Sequence, residues 1–167
     1  MAHEENTGKT DHELVERAWQ LADSIRTALL ITRNGDKHKA RPMSATVSSD
    51  EQAIFFLTAV SADSVEQIDV SPKVTVAFAD TGGNKYVTFS GNALVTNDRA
   101  RIKQLWTPFA KAWWESADDP AIRVITVMPN EAELWDSPGK FVAAAIMLTA
   151  AVTGTQPAVG DHAKLRV

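Results

Sequence analysis

The chain has no cysteine, so disulfides, thiolate metal sites and a cysteine nucleophile are excluded from its chemistry. That absence suits a reducing compartment. The chain also lacks a basic excess. Seventeen Lys and Arg stand against 21 Asp and Glu, and the formal net charge of −4 argues against a nucleic-acid surface. Long apolar runs are missing too: the longest, residues 141–152, falls short of the roughly 20 residues that a membrane-spanning helix needs. The N-terminus, MAHEENTGKTDHE, has no apolar segment of the secretory kind, which predicts a cytoplasmic protein. The four histidines, at positions 3, 12, 38 and 162, have no ligand-like spacing, so no metal site is expected. Neither a Gly-x-Ser-x-Gly elbow nor a glycine-rich phosphate loop occurs, which leaves hydrolase and nucleotide-triphosphatase chemistry without support. No side chain stands out as an acid, base or nucleophile.

What is present suits one globular domain, with 44 % hydrophobic and 23 % charged residues. We expect a disordered lead over residues 1–9 and a single domain over 10–167. Thr10-Asp11-His12-Glu13 matches a capping box. Leu14, Ala18, Leu21, Ala22 and Ile25 follow at helical spacing. Residues 28–33 (ALLITR) read as a buried strand, and Asn34-Gly35 is a strong hairpin signal. The next strand covers about 37–48, with Arg41, Met43, Ala45 and Val47 on one face. Pro42 falls on the other face and cannot donate to a ladder, which places it at an edge or bulge. Residues 53–58 form a third strand. Ser61 is the expected N-cap of a short helix carrying Val65 and Ile68, which Ser71-Pro72 ends. Strands are expected at 74–79, 85–90 and 92–96, with Gly91 marking a bulge or a close backbone approach. Asp98 caps a helix with Ile102, Leu105, Trp106 and Phe109. Trp113 and Trp114 lie beyond it, and all three of these tryptophans read as core or interface aromatics. Residues 122–128 and 131–135 are two strands around Pro129, 141–151 is a helix, and the tail is extended. Short strands with hairpin signals and a few peripheral helices give a mainly β fold, an antiparallel β-barrel.

The stretch from 39 to 68 organises this pattern. It brings a strand-borne Arg41, the strand end Phe56-Leu57-Thr58 and a helix N-terminus together, which suits an anionic ligand. Asp63 opposes that reading, because it lies where an anion cradle would want positive charge.

The motifs Arg41-Pro42-Met43, Phe56-Leu57-Thr58, residues 61–68 followed by Ser71-Pro72-Lys73-Val74, Tyr86-Val87 to Gly91, Leu105-Trp106, Glu133-Leu134-Trp135-Asp136 and Gly160-Asp161-His162 run in order through nearly the whole chain. In this ordered set the sequence resembles the flavin-binding split-barrel proteins related to pyridoxamine 5'-phosphate oxidase, in particular the general stress protein 26-like branch. The resemblance implies a six-stranded antiparallel split β-barrel, a homodimer, and FMN held at the dimer interface. It further implies that Arg41 reaches the ribityl–phosphate part and that Pro42, Met43 and Ser44 line the flavin ring. Leu57 and Thr58 would lie under the ring, Ser61 and Ser64 would open the phosphate-facing helix, and Trp135 would come from the partner subunit.

The departure lies in that helix. The family supplies one or two basic residues in its first turn, where this chain has Asp63 and Ser64. A carboxylate beside a phosphate dianion costs roughly 1 to 4 kcal/mol, depending on the effective dielectric. In the same place it favours the helix dipole. Lys73 and Lys85 are candidates to compensate. Two readings follow. One is an FMN-dependent oxidoreductase acting on a small molecule, in which the flavin supplies the chemistry and the protein supplies position. The other is a non-catalytic binding or stress-response protein whose pocket has degenerated or takes the deazaflavin F420.

Overall fold

The computed structural model describes residues 9–138, 140–154 and 160–167. Among the described residues, eight strands form one antiparallel sheet: β1 (Thr27–Asn34), β2 (Lys37–Ser44), β3 (Thr46–Ser48), β4 (Ala53–Ala59), β5 (Lys73–Asp80), β6 (Lys85–Thr96), β7 (Ile122–Asp136) and β8 (Asp161–Arg166). Their order is β2-β1-β5-β6-β7-β4-β3, with β8 also on β7. The two ends of that path, β2 and β3, are successive parts of one stretch separated only by Ala45. The sheet therefore curls until a single segment serves both edges, its first half paired with β1 and its second with β4.

The barrel splits on β7. Its first half pairs with β4 and its second half, from Glu131, pairs with β8, while β6 runs along both. The β6–β7 register shifts between Ser90 and Gly91, opposite Pro129. There the strands approach so closely that a Cβ on Gly91 would lie 2.2 Å from the Met128 carbonyl oxygen, so only glycine fits.

Alternation sorts the side chains. Ala28, Leu30, Val76, Phe78, Val87, Phe89, Ile54 and Phe56 point inward and form the main core. Helix α1 (Asp11–Ile25) plugs that interior with Leu14, Ala18, Trp19, Leu21 and Ala22, and Trp19 lies 4.7 Å from Phe89 between ring centroids. Each large side chain buried in this way is worth about 1.5–3 kcal/mol. Thr10 and Glu13 form the expected capping box. Helix α2 (Asp63–Val70) buries Ser64, Gln67 and Ile68 and packs on β1 and β6. On the outer face, α3 (Arg99–Leu105) covers β4 and β7 through Ile102 and Leu105, which meet Phe55, Ile122 and Val124. Helix α4 spans Lys140–Thr153. Among the described residues, no helix is long and apolar enough to cross a membrane.

Several expectations change. The six-strand count becomes eight. The 37–48 strand breaks at Ala45, the strands on either side of Pro129 fuse into β7, and the tail adds β8. Pro129 is tolerated because it sits at the register shift, where the ladder is already interrupted. The N-cap of α2 is Ala62, not Ser61, and it makes no side-chain cap. Phe109 leaves α3 for a short 3-10 turn (Pro108–Ala112) and is exposed, as is Trp113. Residues 1–8 of the expected lead lie outside the described residues, and Lys9 ion-pairs with the buried Asp161.

Candidate functional site

Arg41 lies on the inner face of β2, opposite Leu30 of β1, and is half-buried. Its guanidinium Nη1 donates to Thr32 Oγ1 at 2.7 Å and its Nη2 donates to Gln67 Oε1 at 2.7 Å. Thr32 Oγ1 in turn donates to Gln67 Oε1 at 2.6 Å. Thr32 and Gln67 are both buried, so this triangle satisfies two polar groups inside the core and fixes the arginine from behind. Two residues along β2, Lys39 Nζ lies 3.4 Å from Asp63 Oδ2 at the start of α2. The spacings match: two residues along a strand cover about 6.8 Å and four along a helix about 6 Å. The pairs 39–63 and 41–67 therefore zip one face of β2 along one face of α2.

The start of α2 carries no side-chain cap; Val65 N–H donates to the Ala62 carbonyl, which leaves the amides of Asp63 and Ser64 to solvent or an anion. The donor set thus fits a phosphate: a fixed guanidinium, an ammonium and helix amides. One carboxylate, Asp63, opposes it, and Lys39 already partly answers that charge. Both partners of this pair are largely exposed, at 45 % and 71 %, so the pair itself is weak.

The other expected residues spread around this centre. Met43 is half-buried on the same face as Arg41 and packs on the main core, while Pro42 and Ser44 are exposed on the opposite face. Thr58 is buried and Leu57 half-buried near the end of β4, which leads through a turn into α2. Ser61 is exposed in that turn, and Ser64 is buried beneath the helix. Trp135 is not brought near Arg41 within one chain. It lies on the outer face of β7, with β1, β5 and β6 between it and β2, and it stacks on His162 with centroids 5.1 Å apart and planes at 12°.

The suggested compensation by Lys85 is excluded, because Lys85 is held by Asp136. Lys39 takes that place. Sequence reasoning missed Lys39, Thr32 and Gln67. Thr32 carried a usable signal, since it is the polar member of an inward row with Ala28 and Leu30.

The profile of the pyridoxamine 5'-phosphate oxidase-like family matches residues 13–158. The chain belongs to this family. Among curated proteins none matches. Solved structures similar to this pyridoxamine 5'-phosphate oxidase-like chain include one assigned as general stress protein 26 from Jannaschia sp. CCS1, at 22 % identity and TM-score 0.78, covering 95 % of this chain and all of that one. The general stress protein 26 of Bacillus anthracis matches at 21 % identity and TM-score 0.68, over 75 % of this chain and 95 % of that one. A general stress FMN/FAD binding protein from Xanthomonas citri matches at 28 % identity and TM-score 0.66, over 74 % of this chain and 89 % of that one. The first two likenesses establish the split-barrel fold that this family member adopts.

Proposed function

We propose that the chain binds FMN and acts as a small-molecule oxidoreductase in the cytoplasm, with its flavin slot completed by a second copy. One observation carries this reading: Arg41 is held by the Thr32–Gln67 pair alongside Lys39 and the uncapped start of α2. An arginine anchored on one side keeps further N–H donors for an anion, at a reduced entropic penalty. The Xanthomonas citri neighbour, named as FMN/FAD binding, supports the cofactor class.

In this reading Arg41, Lys39 and the α2 amides hold the phosphate, and Met43, Pro42, Ser44, Leu57 and Thr58 border the ring. Ser61 lies in the turn before the helix, and Ser64 supports its first turn from below. Trp135 of a second copy provides the opposite wall. Bound flavin would supply hydride or electron transfer, while the chain's own residues position it and exclude water.

A second reading is a non-catalytic relative, or an F420 binder, and the Lys39–Asp63 pair at the helix start favours it. The deciding experiment is titration of purified protein with FMN and with F420, followed by flavin fluorescence and visible absorbance. Saturable FMN binding that Arg41→Ala weakens at least tenfold supports the first reading. Failure to take up FMN overturns it, and preference for F420 assigns the pocket to the deazaflavin.

A further inference from the structure

Helix α4 (Lys140–Thr153) has no charged side beyond its first residue. Residues 141–160 carry no charged side chain at all. Its two threonines direct their hydroxyls back into the helix: Thr149 donates to the Ala145 carbonyl and Thr153 to the Thr149 carbonyl, each at 2.9 Å. At about 100° per residue, the half-buried Ile146 and the buried Ala150 share one side, and the exposed positions 144, 145, 147–149 and 151–153 sweep about 240°. Leu148 is 69 % exposed and Val152 81 %. Among the described residues, none from α4 joins either apolar core of the chain. A helix that is apolar all round is ordinarily covered, and its own barrel covers the smaller part of this one.

The chain leaves the sheet for α4 at Asp136 and returns at Asp161, and these two are register partners on β7 and β8. Both anchor points are tied down, Asp136 by Arg17 and Lys85 and Asp161 by Lys9. The next rung of the ladder is Trp135 opposite His162, whose rings stack. The five residues from Trp135 to Lys140 reach at most about 18 Å, so the first turn of α4 stays near that indole wherever the indole docks. Under the proposed function, on which this inference rests, Trp135 stands across the flavin slot of a second copy. We propose that α4 goes with it. The helix of one copy lies over the ring end of the other copy's slot, with part of its apolar arc against that barrel and the rest over the flavin. An uncharged helix suits the ring end and not the phosphate end, where Arg41, Lys39 and the start of α2 gather. A bilayer fits less well, because at about 21 Å the helix falls short of the roughly 30 Å hydrocarbon core.

The test combines sedimentation equilibrium with iodide quenching of flavin fluorescence on FMN-loaded protein, for wild type, Leu148→Glu, Val152→Glu and Leu148→Met. The two glutamate variants, both at exposed positions, keep the far-ultraviolet circular dichroism of the wild type. They raise the dimer dissociation constant at least tenfold and make the flavin that stays bound at least threefold more quenchable by iodide. Leu148→Met keeps the surface apolar and matches wild type. A wild-type protein that takes up no FMN, or that stays monomeric when loaded, overturns the proposed function and this inference with it. A flavin-loaded dimer whose association and quenching the glutamates leave unchanged overturns this inference alone. A weakened dimer with unchanged quenching would seat α4 away from the ring and overturn it too. So would cosedimentation of the wild type with phosphatidylcholine vesicles that the glutamates abolish, since that assigns α4 to a lipid surface.

Discussion

Arg41 and Asp63 pull the same helix start in opposite directions. Arg41 is anchored, so its charge is delivered in a fixed place; Asp63 is largely exposed, so water screens much of its repulsion. Removing the carboxylate should therefore help flavin binding without harming the core. We predict that Asp63→Asn tightens FMN binding several-fold and Asp63→Lys about tenfold or more, read by flavin fluorescence titration at low salt. Unchanged affinity in both would show that the phosphate does not sit at this helix. A lysine at Ser64 is not a useful companion change, because that position is buried and the ammonium would have to be desolvated. Gly91 is decided by backbone geometry instead of charge. A methyl there would meet the Met128 carbonyl oxygen and the Pro129 Cα, at 2.2 and 2.6 Å. We expect Gly91→Ala to destabilise the fold by at least about 2 kcal/mol, measured as a loss in chemical-denaturation midpoint.

At the scale of elements, the middle of α1, the start of β6 and the end of β7 are tied together by Asp136. Its side chain is 8 % exposed and accepts from Arg17 Nε at 2.5 Å and from Lys85. Burial pushes its pKa up, but the hydrogen bonds from Arg17 and Lys85 outweigh that and hold it below the ordinary carboxylate value. A carboxylate depressed in the folded state stabilises above its unfolded pKa, near 3.9, and loses that contribution as pH falls through the lower folded value. Asp136→Asn should cost about 1.5–3 kcal/mol at neutral pH. It should also flatten the fall in stability below about pH 4, seen by comparing urea midpoints of the two proteins from pH 7 to 3. The capping box of α1, its apolar stripe, the Asn34-Gly35 hairpin and the Gly91 bulge were all legible in the sequence, because each rests on contacts between residues near in the chain or on one residue's steric needs. The clamp at Asp136, strand β8 and the Lys39–Asp63 pair were not. Each joins residues from separate elements, and only the curl of the sheet brings them together.

For the whole molecule, the curl that closes the barrel also sets what one chain lacks. Arg41 faces inward on β2, Trp135 faces outward on β7, and three strands lie between them. Because the two side chains face opposite sides of the sheet, the indole and the guanidinium share no slot within one chain, and a slot lined by both requires a second copy. Part of the surface available to such a copy is apolar: Leu29 is 44 % exposed beside Pro42, its register partner. Apolar surface of this kind on a sheet face is commonly covered by a partner. Under the proposed function, association and flavin binding are therefore linked: dimer binds flavin more tightly than monomer, and flavin in turn favours the dimer. We predict that sedimentation equilibrium shows a dimer whose dissociation constant falls when saturating FMN is added. Dilution of the flavin-loaded protein through that constant should release FMN in step with dissociation, followed as recovery of free-flavin fluorescence. A monomer that keeps FMN with undiminished affinity would show that Arg41 and the start of α2 suffice alone, and would remove Trp135 from the site.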